Sequence, residues 1–294
     1  MSPRVLAATL ALSASLAHAS SIAVWTHGTG PALPAKALLD LETLPSEVKE
    51  LADPQYDGER RWYRGVALQA VLERTPPGPG VDLALLHFQN GMVIPVPFQD
   101  PAVLKKLGVF VALATSYGAP DSGFVDTFEP AAKPGAQKTD RRPLRFDGNK
   151  LVVSSAWHPM VTAKASATFN PWRFADSLVA IEYVDEAAWY GQFEVSQATR
   201  AGAASFRGRC QFCHGARKVG AGYGWDFVEP YPLYKHRQSG SLLLHTKYRE
   251  LDAAERGLMM PAFAEITAPE VEGLWQWLEA IGTQGLKPYR VKPR

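Results

Sequence analysis

Cysteine is scarce in this chain, with two residues among 294. Two thiols form at most one disulfide bond, so the sequence excludes a small secreted fold that several disulfides hold together. Charge of one sign is also lacking, because 31 Lys and Arg residues are balanced by 29 Asp and Glu residues. The formal net charge of +2 gives no strong field for binding a polyanion. Nucleic acid is therefore not expected as a partner.

Long apolar runs are lacking too, apart from a short one near the start. Arg4 precedes an apolar stretch over residues 5–16, and Ala17-His18-Ala19 follows. A basic residue, a short apolar core and small residues at the last and third-last positions are typical of a secretory signal peptide. We expect residues 1–19 to be removed after Ala19. The mature chain is then expected to be periplasmic and to have no transmembrane segment.

The remaining sequence divides into two parts by its pattern. Short apolar runs separated by turn signals occupy residues 20–190, and longer amphipathic periods occupy residues 191–294. Asn90-Gly91 between two apolar runs predicts a β-hairpin, and prolines in the second run predict an edge strand. Further periodicity predicts strands over residues 109–114 and 178–184 and a helix over residues 66–72. The expected fold class is α+β, with a β-rich N-terminal domain followed by an all-α C-terminal domain.

Both cysteines belong to one motif, Cys210-Gln211-Phe212-Cys213-His214. Two thiols one helical turn apart can each add to one vinyl group of a haem, and the adjacent histidine can bind the iron. A CxxC pair can also be a redox dithiol, half of a zinc site or a structural disulfide. Export and the adjacent histidine favour covalent attachment of one haem c.

An electron-transferring haem iron needs a second axial ligand, and a methionine thioether raises its potential. Met259 and Met260 lie downstream of the motif, and the proline that follows them stiffens a ligand loop. The sequence favours Met260 as the ligand opposite His214. Met259, His236 and His245 stay open as alternatives.

Two helices are predicted around the motif. Gly202 and Phe206 precede it at helical spacing, and Gly202 would allow a second helix to approach closely. Thr267 and Glu270 have the spacing of a capping box, which predicts the start of a second amphipathic helix.

These features together resemble a class I c-type cytochrome over residues 195–281, about a third of the chain. The resemblance implies a helical fold around one covalent haem c, with His214 and Met260 as axial ligands. One departure is that no proline follows soon after His214. In that family the proline carbonyl orients the imidazole, so this sequence leaves the orienting group unidentified.

The N-terminal part has a second resemblance, over residues 40–185, to the molybdopterin-binding fold of the sulfite oxidase type. The segments that carry it are residues 62–72, 88–96 and 169–182. In that family a cysteine thiolate binds molybdenum, and this chain has no cysteine outside the CxxCH motif. We therefore expect a degenerate relative used for docking or structure. His27, His87 and His158 are dispersed in sequence and are expected to form individual hydrogen bonds.

The expected function is that of a periplasmic monohaem cytochrome that transfers single electrons between redox partner proteins. The sequence contains no recognisable arrangement of acid, base and nucleophile, so it does not by itself indicate an enzyme. One alternative is a haem-containing oxidoreductase, or the electron-transfer subunit of a periplasmic complex of the sulfite dehydrogenase type. Another is a haem-based ligand sensor, which would need the sixth position to open.

Overall fold

A computed structural model gives the fold of this chain. It describes residues 20–27, 37–53, 59–116, 121, 123–124, 149–153, 157–161, 169–175, 177–247, 261 and 263–290. The expected signal peptide, Met259 and Met260 lie outside these residues. Sheets and helices are both present, which confirms a mixed α+β protein.

The strands alternate with few helices in the first part of the chain and give way to helices in the second. The strands are β1 (Ser21–Thr26), β2 (Ala37–Asp40), β3 (Glu47–Asp53), β4 (Glu59–Ala67), β5 (Leu83–Phe88), β6 (Val93–Pro97), β7 (Phe110–Ser116), β8 (Lys150–Val152), β9 (Leu178–Val184), β10 (Gly215–Ala216) and β11 (Val219–Gly220). The helices are α1 (Leu68–Arg74), α2 (Pro101–Leu107), α3 (Glu186–Gly191), α4 (Arg200–Ser205), α5 (Leu233–His236), α6 (Ser239–Lys247) and α7 (Ala268–Gln284).

The first sheet has five strands in the order β2-β1-β9-β5-β6. The predicted hairpin is present as the antiparallel pair β5 and β6, and β6 lies at the edge, where its prolines cost no ladder hydrogen bonds. Gly91 has a positive φ of 88°, whereas Asn90 does not. The strand predicted over residues 178–184 is β9, which lies in the centre of the sheet and pairs in parallel with β1.

The second sheet has four strands in the order β3-β4-β7-β8, all antiparallel. The helix predicted over residues 66–72 begins only at Leu68, because Val66 and Ala67 complete β4 by pairing with Val111 and Phe110. Tertiary pairing here outweighs the helical periodicity of the local sequence.

The C-terminal part is mostly helical. Helix α4 passes into a π-helical turn over Phe206–Cys210, so the first cysteine of the haem-type motif is the last residue of that turn. Helix α7 opens with the predicted capping box, in which Thr267 and Glu270 bond each other's backbone N–H groups. One feature departs from the expected all-α arrangement, because β10 and β11 form a short antiparallel ladder just after His214.

The crossing of α4 and α7 depends on Gly202. A Cβ atom at this position would lie 2.0 Å from the carbonyl oxygen of Gly273 and 2.8 Å from Cβ of Trp277. We expect Gly202→Ala to lower the free energy of unfolding by about 1–3 kcal/mol, as overpacking of a core does. Urea denaturation would measure this change. Gly240→Ala in α6 is the control, since a Cβ there meets no atom within 4 Å. Equal effects of the two substitutions would contradict this account of the crossing.

Most buried hydrophobic side chains on both sides of residue 190 form one continuous cluster, and a smaller separate one lies in the four-stranded sheet. The continuous cluster runs from sheet residues such as Ile22 and Leu86 to Trp277 and Leu278 in α7. Within the part of the chain that the structure describes, no helix combines the length and apolarity needed to cross a bilayer.

Candidate haem-binding cleft

The CxxCH motif closes one turn of helix. The N–H of Gln211 donates to the carbonyl of Phe206 across the π-helical turn, and the N–H of His214 donates to the carbonyl of Cys210 at 2.8 Å. Single π-turns are frequent at functional sites, since the extra residue redirects the side chains that follow. The local fold therefore brings both cysteines and His214 to the same cleft.

This cleft has a volume of about 500 Å³, including its opening to solvent. Its lining is predominantly apolar, and the polar groups in it are few. The lining residues are Phe169, Arg209, Cys210, Cys213, His214, Phe227, Leu242, Thr246, Pro261, Phe263, Ile266, Val271 and Leu274. An apolar cleft with a small number of placed polar groups is typical of a cofactor site.

The imidazole of His214 is held in one orientation by its surroundings. Its Nδ1 lies 2.8 Å from the carbonyl oxygen of Trp225. A carbonyl only accepts, so Nδ1 carries the proton and Nε2 carries the lone pair that a metal would use. The ring also stacks on Phe227, with centroids 4.5 Å apart. Trp225 thus supplies the orienting carbonyl that the sequence left unidentified.

Gly224 makes this orientation possible. A Cβ at Gly224 would lie 2.3 to 3.0 Å from three atoms of the His214 ring, so any side chain there would displace the imidazole. A backbone carbonyl can accept a hydrogen bond whatever side chain its residue carries, so the sequence does not reveal the Trp225–His214 contact directly. The sequence feature that could have indicated it is Gly224, just before Trp225.

Cys213 is buried, Cys210 is partly buried, and the two form no disulfide. Burial raises the pKa of Cys210 and the pKa of Cys213 to about 12 each. A redox dithiol needs a thiol whose pKa is lowered, and such motifs usually follow a strand, whereas Cys210 follows a helix. In the described part of the chain, no group of three or more His, Cys, Asp or Glu residues is placed to hold a metal ion. The raised pKa values and the preceding helix weigh against the dithiol interpretation.

Helix α6 and the segment before α7 also line the cleft. Leu242 and Thr246 contribute from α6, and Pro261 is the residue that follows Met260 in the sequence. His236 and His245 do not line the cleft, and both are exposed. Met260 itself lies outside the described residues.

The N-terminal part of the chain contributes one wall of the cleft, which the sequence did not predict. Phe169 lines it and packs on Phe212 and Phe263, with ring centroids 5.5 and 5.2 Å away. Phe212 also accepts a backbone hydrogen bond from Val93 of β6. Tyr190 donates to the side-chain oxygen of Gln211 at 2.6 Å. Both residues between the cysteines are therefore anchored in the N-terminal part.

The three histidines of the N-terminal part differ from the sequence expectation in one respect. His27 and His87 are not isolated, because both contact the carboxylate of Glu182, at 2.6 and 3.0 Å. Burial alone would raise the pKa of Glu182, but the hydrogen bonds from the two histidines lower it to about 2. Strands β1, β9 and β5 are neighbours in the sheet, which brings these three residues together although they are far apart in sequence.

His158 is separate from this group, as expected. Its Nε2 donates to the carbonyl of Pro95 at 2.9 Å, and its Nδ1 accepts from the N–H of Met160. Burial lowers the pKa of His158 to about 3, so the ring is neutral at physiological pH. It packs on Phe212, and through that contact it supports the loop between the two cysteines.

No protein-family model, curated protein or solved structure matches this chain. The case for a bound group therefore rests on the residues of the cleft. Two thiols, one imidazole with its lone pair on Nε2 and a predominantly apolar lining fit the donor set and polarity of a covalently attached haem.

Proposed function

We propose that this protein is a monohaem c-type cytochrome that transfers single electrons. Cys210 and Cys213 would hold the haem by thioether bonds, and His214 and Met260 would be its axial ligands. The observation that carries the proposal is that both thiols and the oriented imidazole line one apolar cleft.

When bound, the haem supplies an iron centre that cycles between two oxidation states. The protein's own contribution is to orient the imidazole of His214 and to surround the haem with apolar side chains. The Trp225 carbonyl fixes the tautomer of His214 and makes its Nε2 a better donor. Phe169, Phe227 and Phe263 make much of the cleft wall apolar, and the polarity around a haem is one of the levers by which a protein sets the potential.

The proposed setting is the periplasm, with redox proteins as electron donor and acceptor. A second candidate is an electron-transfer subunit of a periplasmic oxidoreductase complex of the sulfite dehydrogenase type. The contact of Phe169 with the cleft favours it, because it links the haem-type site directly to the β-rich part. Turnover of sulfite with reduction of the cytochrome would support this second candidate.

The proposal is tested by producing the full chain in a bacterial host that attaches haem c in its periplasm. We expect one haem per chain that resists acid–acetone extraction, and a reversible one-electron potential in voltammetry. We also expect the weak long-wavelength absorption band of a sulfur–iron(III) bond, and no binding of carbon monoxide by the reduced protein at neutral pH. Extractable haem, or purified protein without haem, would reject the proposal. Ready binding of carbon monoxide would instead favour a ligand sensor.

A further inference from the structure

The carboxylate of Asp226 accepts hydrogen bonds from the backbone on two sides. The N–H groups of Arg217, Val228 and Glu229 donate to its Oδ1 at 3.0, 2.7 and 2.9 Å, and the N–H of Lys218 donates to its Oδ2 at 2.6 Å. Bonds from N–H groups to a carboxylate are about twice as strong as bonds between neutral groups. This side chain therefore joins residues 217–218 firmly to residues 228–229.

The first of these two segments is the tip of the β10–β11 hairpin, which begins directly after His214. Arg217 and Lys218 both have a positive φ, of 52° and 66°. This left-handed conformation is unfavourable for residues other than glycine, so it persists only where the surroundings stabilise it. The N–H groups of both residues donate to Asp226, which thus stabilises a turn that the residues at its tip disfavour.

The residues on either side of Asp226 are the two that orient the imidazole of His214. Trp225 supplies the carbonyl that accepts from Nδ1, and Phe227 stacks on the ring. The side chain of Trp225 does not hold this carbonyl in place by packing, because the residue is 89% exposed. The position of the carbonyl therefore depends on how the backbone around residue 226 is held.

The same stretch of backbone is also bonded to the motif. The N–H of Phe227 donates to the carbonyl of Gly215 at 2.8 Å, and the N–H of Gly224 donates to the carbonyl of Cys213 at 2.6 Å. A Cβ atom at Gly215 would lie only 2.7 Å from Oδ2 of Asp226. The carboxylate is thus packed against the hairpin as well as bonded to it, and a shift of this group would be passed on to residues 224–227.

We propose that Asp226 is the positioning residue for His214, because its carboxylate keeps the Trp225 carbonyl and the Phe227 ring against the imidazole. The inference rests on the proposed function in taking His214 as a haem ligand, and it is independent of the sixth ligand. A hydrogen bond from Nδ1 makes an imidazole a stronger donor to iron, which favours the oxidised state and lowers the reduction potential. Asp226 therefore acts on the potential through its two neighbours.

The test compares Asp226→Asn with Glu229→Gln in the full-length holoprotein. Each substitution removes one negative charge from the same stretch of chain. The Glu229 carboxylate pairs with the side chains of Arg217 and Lys218, at 3.7 and 3.8 Å, whereas that of Asp226 bonds their backbone N–H groups. An amide at position 226 has one acceptor oxygen in place of two, so Asp226→Asn loses backbone bonds that Glu229→Gln keeps.

Two properties of the holoprotein are measured. We expect Asp226→Asn to speed solvent exchange of the His214 Nδ1 proton at least about tenfold, followed by NMR of the reduced protein. We also expect it to shift the redox equilibrium toward the reduced form at least about threefold, which is about 28 mV for one electron. Glu229→Gln is expected to leave the exchange rate unchanged and to give only the smaller rise in potential that follows the loss of a charge.

A second variant, Asp226→Glu, separates positioning from charge and carries the test if Asp226→Asn fails to accumulate. It keeps the charge but moves the carboxylate by one methylene group, and we expect faster exchange and a higher potential here too. An unchanged exchange rate in the Asp226 variants, or an equal rise in Glu229→Gln, would overturn the inference whatever the potential does. Wild-type protein without covalent haem would instead overturn the proposed function.

Discussion

Replacing Cys210 and Cys213 together by alanine is expected to abolish covalent attachment of haem. No other cysteine exists in the chain, so no other thiol can add to the vinyl groups. The crossing of α4 and α7 at Gly202 and Gly273 involves neither thiol, so we expect this helix contact to remain. The measurement is haem staining of the denatured protein on a gel, together with the pyridine haemochrome spectrum.

The single variants refine this expectation. Cys210→Ala or Cys213→Ala should leave one thioether bond, with a lower yield of holoprotein and a shifted absorption maximum of the reduced form, because one vinyl group stays unsaturated. Thr246→Ala is the matched control, since it also alters the cleft wall but removes no thiol. Covalent haem in the double variant would show that attachment does not use this motif. Its loss in the Thr246→Ala protein would show that any damage to the cleft prevents attachment.

Local sequence signals predicted the elements that depend on neighbouring residues. The hairpin of β5 and β6, the strand β9 and the capping box of α7 are all confirmed, and each is encoded within a short stretch of chain. The close approach of α4 and α7 at Gly202 was also predictable, since only glycine allows helix backbones to come so near.

What the sequence could not reveal is contact between residues that are distant along the chain. The Trp225 carbonyl on His214 has no side-chain signature, and Phe169 reaches the cleft only because the N-terminal part packs on it. The pair His27 and His87 meets at Glu182 because three strands are neighbours, an order that sequence periodicity does not encode. Such juxtapositions are set by topology, and they make up much of the candidate site.

The second large effect is expected away from the cleft, at a buried ion pair in the four-stranded sheet. The ammonium of Lys150, on β8, lies 2.5 Å from the carboxylate of Asp53 at the end of β3. The side chains are 3% and 0% exposed, and the hydroxyl of Tyr63 on β4 donates to the same carboxylate. The pair therefore links strands that are separated by many residues of sequence.

Lys150→Met is expected to lower the free energy of unfolding by about 3–5 kcal/mol, because it takes the cation away from a carboxylate that water cannot reach. Urea denaturation of the full-length protein would measure the change. Lys49→Met on β3 is the matched control, since Lys49 pairs with Glu47 at the surface and such pairs contribute about 0–1 kcal/mol.

The double variant Lys150→Met/Asp53→Leu should lose less stability than the sum of its two single changes. The reason is that Asp53→Leu removes the buried charge that Lys150→Met leaves without its cation. Equal losses for Lys150→Met and Lys49→Met would mean that the Lys150–Asp53 pair does not stabilise the sheet beyond an ordinary surface contact.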